Sequence, residues 1–407
     1  MKNNSTDNNL RVPYALAVHD DKEKKRVVAV LDEHRTNMGK ETREFEDRAK
    51  KFFGKKNAVM VNSGSSANLL AIEILNLPKG SEVITPLLTF STTIAPLLKL
   101  GLIPVFVDVE QGTYVINVDQ VEKMITKKTK ALMVPLLLGN VPNMDALRKL
   151  AKKYKLYFIE DSCDTFGASY NGKPTGTYSD ITTTSFFGSH IITTGGNGGM
   201  IMMNDNAWTD KAKVLRGWGR NSSLFGESED IAKRFKTKIG NIPYDAKFIF
   251  SDAGYNFIPN EMCAAFGNVQ LDKLTIFRKK REDNFAYLLK FFKQYEKHFT
   301  LPIQAPKVKT QWLAFPLTIK KGAPFTRLEL VTYLEKNNMQ TRPIFTGNIL
   351  KQPGFKKIAH KIQKDGCPVT NEIMERGVLI GCHHGMEKKH LQRVEELFST
   401  FLNRYKA

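Results

Sequence analysis

The stretch NAVMVNSGSSANLLAIEIL, residues 57–75, joins a short apolar run to a helix-like segment through a turn of small residues. Residues 57–61 have the composition of a buried strand, and residues 66–75 have that of a helix. Gly64 permits a positive φ in the turn, and the amides of Ser65 and Ser66 would point out of the helix N-terminus. That end carries partial positive charge and suits a phosphate, but a plain junction capped by serine would have the same sequence.

Six further runs rich in β-branched residues follow along the chain, at residues 82–85, 105–109, 131–135, 157–159, 181–186 and 200–203. Helix-like segments, such as residues 143–154, separate several of these runs. An alternation of this kind predicts an α/β domain with a mostly parallel sheet.

The pattern changes after residue 256. Amphipathic helix patterns follow at residues 260–274 and 277–299, a strand pattern at 312–319, and helix patterns at 327–337 and 388–405. We therefore predict three parts: an N-terminal segment over residues 1–27, a large domain over 28–255, and C-terminal helices with a smaller α+β domain over 256–407.

The composition is that of a folded protein, with 407 residues, 42% hydrophobic content and a formal net charge of +20. The basic residues form short clusters among acids without a nucleic-acid motif, so we expect an anionic small molecule as the partner rather than nucleic acid. No apolar run reaches the ~18–20 residues of a membrane span, and the polar start MKNNSTDNN leads us to expect a cytoplasmic protein without a membrane partner. The four scattered cysteines argue against a disulfide framework and a zinc site.

Acidic and basic side chains follow two of the predicted strands. Asp161 ends the run FIED, with Asp164 three residues later, and SFFGSH ends in His190 before the glycine-rich stretch GGNGG. An acid at the carboxyl edge of a parallel sheet lies where open α/β folds bind ligands. There it would hold the nitrogen of a pyridine ring protonated, or it would simply cap a helix.

These motifs occur in an order that resembles the DegT/DnrJ/EryC1/StrS sugar aminotransferase family over residues 28–400. They are SGSSAN (63–68), PLLTFSTT (86–93), ED with GA downstream (160–168), SFFGSH (185–190) with its glycine loop, and AGYNFIPNEMCAAFGNVQL (253–271). The resemblance implies a pyridoxal phosphate (PLP)-dependent transferase of the type I, aspartate aminotransferase-like fold. That fold has a large domain with a mixed, mostly parallel sheet and a smaller C-terminal α+β domain.

The resemblance also assigns residues to the cofactor. It implies that the phosphate is held by Gly64, Ser65, Ser66 and Ser185. Phe90 would stack on the pyridine ring, and Asp161 would pair with the ring nitrogen.

Further assignments concern the neighbouring subunit and the substrate. Asn256 would reach the phosphate of the neighbouring subunit, so we expect a homodimer with shared active sites. Asp164 stands where the family usually has Gln near the phenolic oxygen of the cofactor, and its contact is left open. Arg216 and Arg220, in LRGWGR, could meet a sugar pyrophosphate or a glutamate carboxylate, or equally lie at the surface.

His190 stands where the aminotransferases of this family have the lysine that bonds to PLP. Imidazole cannot form that bond, but it can act as a general acid or base. A histidine here resembles a branch that removes the C-3 hydroxyl of NDP-4-keto-6-deoxyhexoses, and the segments YNFIPNE (255–261), TRPIFTGN (341–348) and GVLIGCHH (377–384) resemble it as well. His383 and His384 in the last segment either line the site or are structural.

That branch has two chemistries, one of which uses an iron–sulfur cluster with the spacing C-x57-C-x-C-x7-C and a reductase partner. Cys163 could match the first cysteine, but Asn221 stands at the next position, and residues 164–262 contain no cysteine. We therefore predict the other chemistry, which uses PLP and its amine form PMP with L-glutamate, without a metal or an iron–sulfur reductase. The expected substrate resembles GDP-4-keto-6-deoxy-D-mannose, and the product would enter 3,6-dideoxysugar biosynthesis for surface polysaccharide. A nucleotide-sugar aminotransferase and an inactive PLP-fold binding protein are the alternatives.

Overall fold

The computed structural model describes residues 10–225 and 229–405. Its strands are β1 (Asn57–Val61), β2 (Glu82–Pro86), β3 (Ile103–Val107), β4 (Thr129–Pro135), β5 (Tyr157–Asp161), β6 (Ser169–Tyr170), β7 (Lys173–Pro174), β8 (Ile181–Ser185), β9 (Gly199–Met203), β10 (Thr237–Ile239), β11 (Ile242–Tyr244), β12 (Phe299–Thr300), β13 (Val308–Lys309), β14 (Phe315–Ile319), β15 (Lys361–Ile362) and β16 (Gly377–Ile380). Its helices are α1 (Asp21–Asp32), α2 (Lys40–Ala49), α3 (Gly64–Glu73), α4 (Ser91–Lys99), α5 (Val118–Lys123), α6 (Met144–Tyr154), α7 (Asn206–Arg216), α8 (Ile231–Arg234), α9 (Glu261–Phe292), α10 (Arg327–Lys336), α11 (Pro368–Arg376) and α12 (Lys388–Asn403).

The largest sheet has eight strands in the order β1-β9-β8-β5-β4-β2-β3-β15. Strand β9 runs antiparallel to both of its neighbours, whereas every pair from β8 to β15 is parallel. All five residues of β2 and of β8 are buried, as expected for strands covered on both faces. The mixed, mostly parallel sheet confirms the predicted α/β fold.

Helices cover both faces of this sheet with apolar side chains. Leu70 of α3 and Leu97 of α4 belong to the core on one face. Leu147 and Ala151 of α6, four residues apart on one helical stripe, belong to the core on the other face. Helix α3 begins where it does because the Ser63 hydroxyl accepts a hydrogen bond from the helix's own first turn.

A second core lies in the C-terminal part, around Phe292, Trp312, Phe315 and Phe398. Its sheet has the order β12-β14-β16, with antiparallel pairing, and this agrees with the predicted smaller α+β unit. The limits of the three predicted parts, 1–27, 28–255 and 256–407, stay a prediction. Over the described ranges, no helix combines the length and the apolar character that crossing a membrane requires.

Three predicted elements, two helices and a strand, have different limits in the structure. The two helices expected at 260–274 and 277–299 are the single helix α9, because Thr275 and Ile276 between them contain neither a glycine nor a proline to interrupt it. Strand β3 lies two residues earlier than predicted. The carboxylate of Asp108, which was expected inside the strand, instead accepts hydrogen bonds from the amides of Val369 and Thr370 at the start of α11 (both 2.9 Å).

Candidate active site

A cavity of about 850 Å³ lies at the carboxyl ends of the parallel strands. Pro135, Asp161 and Ser185, the last residues of β4, β5 and β8, line it together with the first turn of α3. The predicted site residues that line this cavity are Gly64, Ser65, Phe90, Asp161, Asp164, Ser185 and His190. The structure therefore brings seven of the predicted positions together in one place.

The corner between α3 and β8 depends on the absence of a side chain at Gly64. A Cβ atom there would lie 2.6 Å from the Cβ of Ser185 and 2.8 Å from the Sγ of Cys163. The φ angle of Gly64 lies outside the left-handed region, so close approach, and not the predicted positive φ, requires glycine. The first-turn amides of Gly64 and Ser65 and the hydroxyl of Ser185 thus share one concave corner, which suits a phosphate.

Ser66 lies beneath that corner and not on its surface. Its amide donates to the Oγ of Ser63 (3.1 Å), and its own hydroxyl donates to Oδ1 of Asn62 (2.7 Å). Ser66 is buried beneath the turn and does not line the cavity. Ser66 thus takes part in the helix cap, and its contact with the phosphate stays a prediction.

The Asp161 carboxylate is held by neutral donors. Its Oδ2 accepts hydrogen bonds from Nδ2 of Asn68 (2.8 Å) and the hydroxyl of Thr93 (2.9 Å), and its Oδ1 accepts one from the amide of Cys163 (3.2 Å). The hydroxyl of Thr183 fixes the orientation of the Asn68 amide by donating to its Oδ1 (2.6 Å). A buried carboxylate that faces a cavity with such partners fits a protonated pyridine nitrogen.

Asp164 lies in the same cavity but has a different environment. Its side chain is buried, and its Oδ2 accepts a hydrogen bond from the amide of Leu138 (3.1 Å). Burial, with a smaller contribution from the nearby Asp161 charge, raises the pKa of Asp164 to about 7 against the opposing effect of the Leu138 amide. At neutral pH a large fraction of Asp164 is therefore a neutral acid that can donate a hydrogen bond, as the amide of Gln does.

His190 follows β8 on the loop over residues 186–198 and is half-buried in the cavity wall. Desolvation lowers the pKa of His190 to about 4, although the Ser185 carbonyl and the Asp161 carboxylate oppose this shift. The Nδ1 atom lies 3.4 Å from the carbonyl oxygen of Ser185. A carbonyl only accepts, so the proton of the neutral ring is on Nδ1, and Nε2 has a free lone pair.

Phe90 is the residue before α4, and 53% of its surface is exposed at the cavity. Its ring lies 6.5 Å from that of Phe345, which approaches nearly perpendicularly from the C-terminal part. A flat ring entering the cavity would meet an exposed aromatic face at Phe90.

Three further predicted site residues lie outside the cavity. Arg216 is buried, and its Nη1 donates to the carbonyl of Met60 (2.8 Å) and to Glu46 (3.2 Å); its contact with the substrate stays a prediction. The guanidinium of Arg220 stacks over the ring of Trp218 (4.4 Å). Asn256 is exposed, and its role toward a neighbouring subunit stays a prediction.

Sequence reasoning missed several residues of the site. Asn68 and Thr93, which bind Asp161, lie inside the motifs SGSSAN and PLLTFSTT, so the sequence contained a signal for them. Arg342, the one lysine or arginine among the described residues that line the cavity, also lies in a quoted segment. No sequence motif indicated Tyr14. It reaches the cavity because its segment pairs with a distant part of the chain, through Val12 and Met339.

The cysteines lie apart from one another as far as the structure describes the chain. Cys163 is beside Gly64, whereas Cys367 and Cys382 are buried in different cores. Within residues 10–225 and 229–405, no group of three or more His, Cys, Asp or Glu side chains is arranged to hold a metal ion. The expectation of a metal-free reaction stays a prediction.

Comparison with known proteins identifies the relatives of this chain. A model described as the DegT/DnrJ/EryC1/StrS aminotransferase family matches residues 18–399. The chain is 36% identical to dTDP-4-dehydro-2,6-dideoxy-D-glucose 3-dehydratase of Saccharopolyspora spinosa, over 95% of this chain and 85% of that protein. It is 34% identical to GDP-4-keto-6-deoxy-D-mannose 3-dehydratase of Yersinia pseudotuberculosis, over 92% of this chain and 94% of that protein.

A solved structure of GDP-4-keto-6-deoxymannose-3-dehydratase with a trapped PLP-glutamate geminal diamine has a TM-score of 0.85 and 32% identity, and covers 95% of this chain and 99% of that chain. The cavity fits the same cofactor, because it combines an anion-binding corner, the Asp161 carboxylate and the exposed Phe90 ring. The chain therefore belongs to the DegT/DnrJ/EryC1/StrS aminotransferase family, has its type I aminotransferase fold and uses PLP as its cofactor.

Proposed function

We propose that this enzyme is a 3-dehydratase that removes the C-3 hydroxyl of an NDP-4-keto-6-deoxyhexose, with L-glutamate as the amino donor and the PMP form of the cofactor as the reactive form. The single observation that carries the proposal is His190 at the cavity, together with the lack of a lysine among the described residues that line it. An aminotransferase of this family needs a lysine there. Lys173, the replacement nearest in sequence, lies in β7 and is absent from the described lining residues.

Different residues bind different parts of the cofactor. Gly64, Ser65 and Ser185 hold the phosphate, and Phe90 covers one face of the ring. When bound, the cofactor supplies an electron sink, which requires a protonated ring nitrogen. Asp161 holds that proton in place, because a carboxylate next to the nitrogen favours the charged form of the ring.

His190 moves the proton in this proposal. Its Nε2 is unprotonated at neutral pH, because burial lowers the pKa of the ring to about 4. It is therefore available to accept a proton from the methylene carbon of the PMP form. The resulting imidazolium is a stronger acid than a histidine in water. It donates its proton to the C-3 hydroxyl oxygen of the sugar, which leaves as water.

The overall reaction balances without a metal or an external reductant. L-glutamate is oxidised to 2-oxoglutarate and releases ammonia, while carbon C-3 of the sugar is reduced by loss of its oxygen. Arg342 is the candidate anchor for a glutamate carboxylate, because guanidinium pairs with carboxylate in a two-point geometry. The names of the similar proteins support a nucleotide sugar with a keto group as the substrate.

A homodimer with shared sites is part of the proposal. The segment that carries Arg220 and Asn256 also exposes large apolar side chains, including Phe235, Ile242 and Phe250. A patch of this kind suits a subunit interface. We infer that a second copy of the chain covers it and brings the partner's Asn256 to the phosphate.

The test is an anaerobic incubation of the purified protein with PLP, L-glutamate and GDP-4-keto-6-deoxy-D-mannose, followed by assays for ammonia and sugar mass. We expect ammonia release and a sugar that has lost one oxygen atom. A sugar that gains an amino group would contradict the proposal and indicate transamination. A parallel reaction with dTDP-4-keto-2,6-dideoxy-D-glucose determines which sugar scaffold is preferred, since relatives of both kinds are similar to this chain.

A further inference from the structure

Arg281 is a charged side chain in the protein interior. It lies on α9, and only 1% of its surface is exposed. Its guanidinium forms hydrogen bonds with two backbone carbonyls of the C-terminal part, those of Trp312 (3.2 Å) and Leu313 (3.0 Å). Its hydrogen-bond partners among the described residues are neutral groups, and none of them is a carboxylate. A buried cation without a counter-charge is costly, so its other contacts are informative.

One of these contacts reaches the loop over residues 186–198, which carries His190 and is here called the catalytic loop. The Nη2 of Arg281 donates to the backbone carbonyl of His190 at 3.3 Å. The bonds that His190 makes within its own loop region are from its amide to the Phe187 carbonyl (2.9 Å) and from Nδ1 to the Ser185 carbonyl. Arg281 therefore ties His190 to a long helix outside that loop.

His384 holds the opposite edge of the guanidinium. Its Nδ1 accepts a hydrogen bond from Nε of Arg281 (3.1 Å), and its ring stacks on Phe277 with centroids 3.9 Å apart. A histidine that accepts from a guanidinium has a free lone pair on that nitrogen and is neutral. Burial lowers the pKa of His384 to about 2, and the Arg281 charge adds to this shift. His384 is thus assigned a structural role.

The charge of Arg281 also affects His190. Burial lowers the pKa of Arg281 to about 10, so the side chain is still a cation at neutral pH. This cation favours the neutral form of the His190 ring, whereas the Asp161 carboxylate opposes it. The other titratable groups near the guanidinium are Tyr14, Cys382, His383 and His384.

We propose that Arg281 is a positioning residue for His190: its buried guanidinium fixes the backbone of His190 and places a fixed positive charge beside the loop that carries the imidazole. The expected effect of Arg281 on kcat rests on the proposed function. The expected effect on the titration of His190 is independent of that function, because it is measured in the protein without substrate.

The experiment compares Arg281→Lys with Arg281→Met in the full-length protein. Lysine keeps the charge but cannot bind three carbonyls and His384 in one plane, and methionine removes the charge as well. The control is Arg278→Met on the same helix, because Arg278 donates to the Gly167 carbonyl (2.7 Å) and not to the catalytic loop. We measure the titration of His190 by NMR in apoprotein with labelled histidine, assigned with His190→Asn, and the kcat and KM of the dehydratase.

We expect both Arg281 variants to lose about tenfold in kcat with nearly unchanged KM, because misplaced catalytic groups slow the chemical step. We expect the pKa of His190 to rise in Arg281→Met and to stay low in Arg281→Lys. An unchanged His190 titration in Arg281→Met, or full kcat in both variants, overturns the proposal. If the wild-type protein proves not to be a dehydratase, the titration still decides the effect on His190.

A second variant covers a failure of Arg281→Met to fold. His384→Phe keeps a ring against Phe277 and removes the acceptor for Nε, so the guanidinium loses one of its supports. We expect a smaller fall in kcat in the same direction and a changed chemical shift for the His190 ring. A folded His384→Phe protein with wild-type kcat and an unchanged His190 signal overturns the proposal.

Discussion

Two sides of the cavity are built differently. The cofactor floor, which we define as Gly64, Ser65, Asn68, Thr93, Asp161 and Ser185, consists of strand ends and the helix starts beside them. The substrate wall, defined as Tyr14, Asp164, His190, Leu313 and Arg342, collects side chains from both ends and the middle of the chain. The floor surrounds one carboxylate with neutral donors, whereas the wall contains side chains whose pKa is strongly shifted by burial.

This difference indicates that the floor binds the cofactor and the wall carries out proton transfer. A carboxylate oriented by three hydrogen-bond donors is suited to hold a fixed partner. Burial disfavours the charged forms of Asp164 and His190, so a proton that His190 accepts is readily passed on. We therefore expect changes to the floor to alter cofactor affinity, and changes to the wall to alter turnover.

The largest expected effect is on the wall. His190→Asn removes the base but keeps a side chain of similar size, so kcat should fall by about 10²–10⁴-fold, while PLP affinity stays near the wild-type value. The measurement is the release of ammonia from glutamate and sugar, with PLP binding followed by fluorescence. Equal losses in affinity and in kcat would remove the distinction between the two sides.

The matching change on the floor is Gly64→Ala. The added Cβ would meet Ser185 and Cys163, so the corner must open and lose its shape for the phosphate. PLP affinity should fall by about tenfold or more, since each 1.4 kcal/mol of lost binding is a factor of ten. Gly354→Ala is the control, because a Cβ at that cavity-lining position has open space. Equal PLP affinity in the two variants would contradict the role of the corner.

Arg342→Gln tests the amino donor. We expect the KM for L-glutamate to rise by about tenfold, because a charge-assisted contact is lost, with little change in the KM for the nucleotide sugar. Steady-state kinetics with each substrate varied in turn measures this. A rise confined to the sugar would instead assign Arg342 to the nucleotide.

The last prediction concerns the stability of the fold and not catalysis, and it depends on Asp164 and on pH. A carboxyl whose pKa is raised to about 7 by folding stabilises the protein most below its ordinary pKa of about 4, and this contribution is lost as pH rises to about 7. Compared with Asp164→Asn, the wild type should lose about 1.4 kcal/mol of unfolding free energy per pH unit in that range. Urea unfolding from pH 4 to 8 measures the difference. A constant difference would mean that the pKa of Asp164 is not raised.

Most of the floor was predictable from the sequence, because its residues lie within short motifs at strand ends. SGSSAN and FIED each combine a local structure with a chemical group, and parallel strands bring their carboxyl ends to one edge. Two other side chains were harder to place from the sequence. A serine that caps a helix and one that binds phosphate have the same local sequence, and Ser66 forms the bonds of the cap. An arginine beside a glycine-rich turn does not reveal that Glu46 is among its partners, as it is for Arg216.

The amino-acid sequence by itself determined the α/β fold, the family motifs and the histidine in place of the PLP lysine, since these depend on periodicity and on short spacings. The tertiary structure alone decided that Tyr14 and Arg342 share the cavity, that a buried arginine holds the His190 backbone, and that Asp164 has a raised pKa. Contacts between segments about 300 residues apart and the desolvation of a charge arise only when the chain packs, so no local pattern reports them.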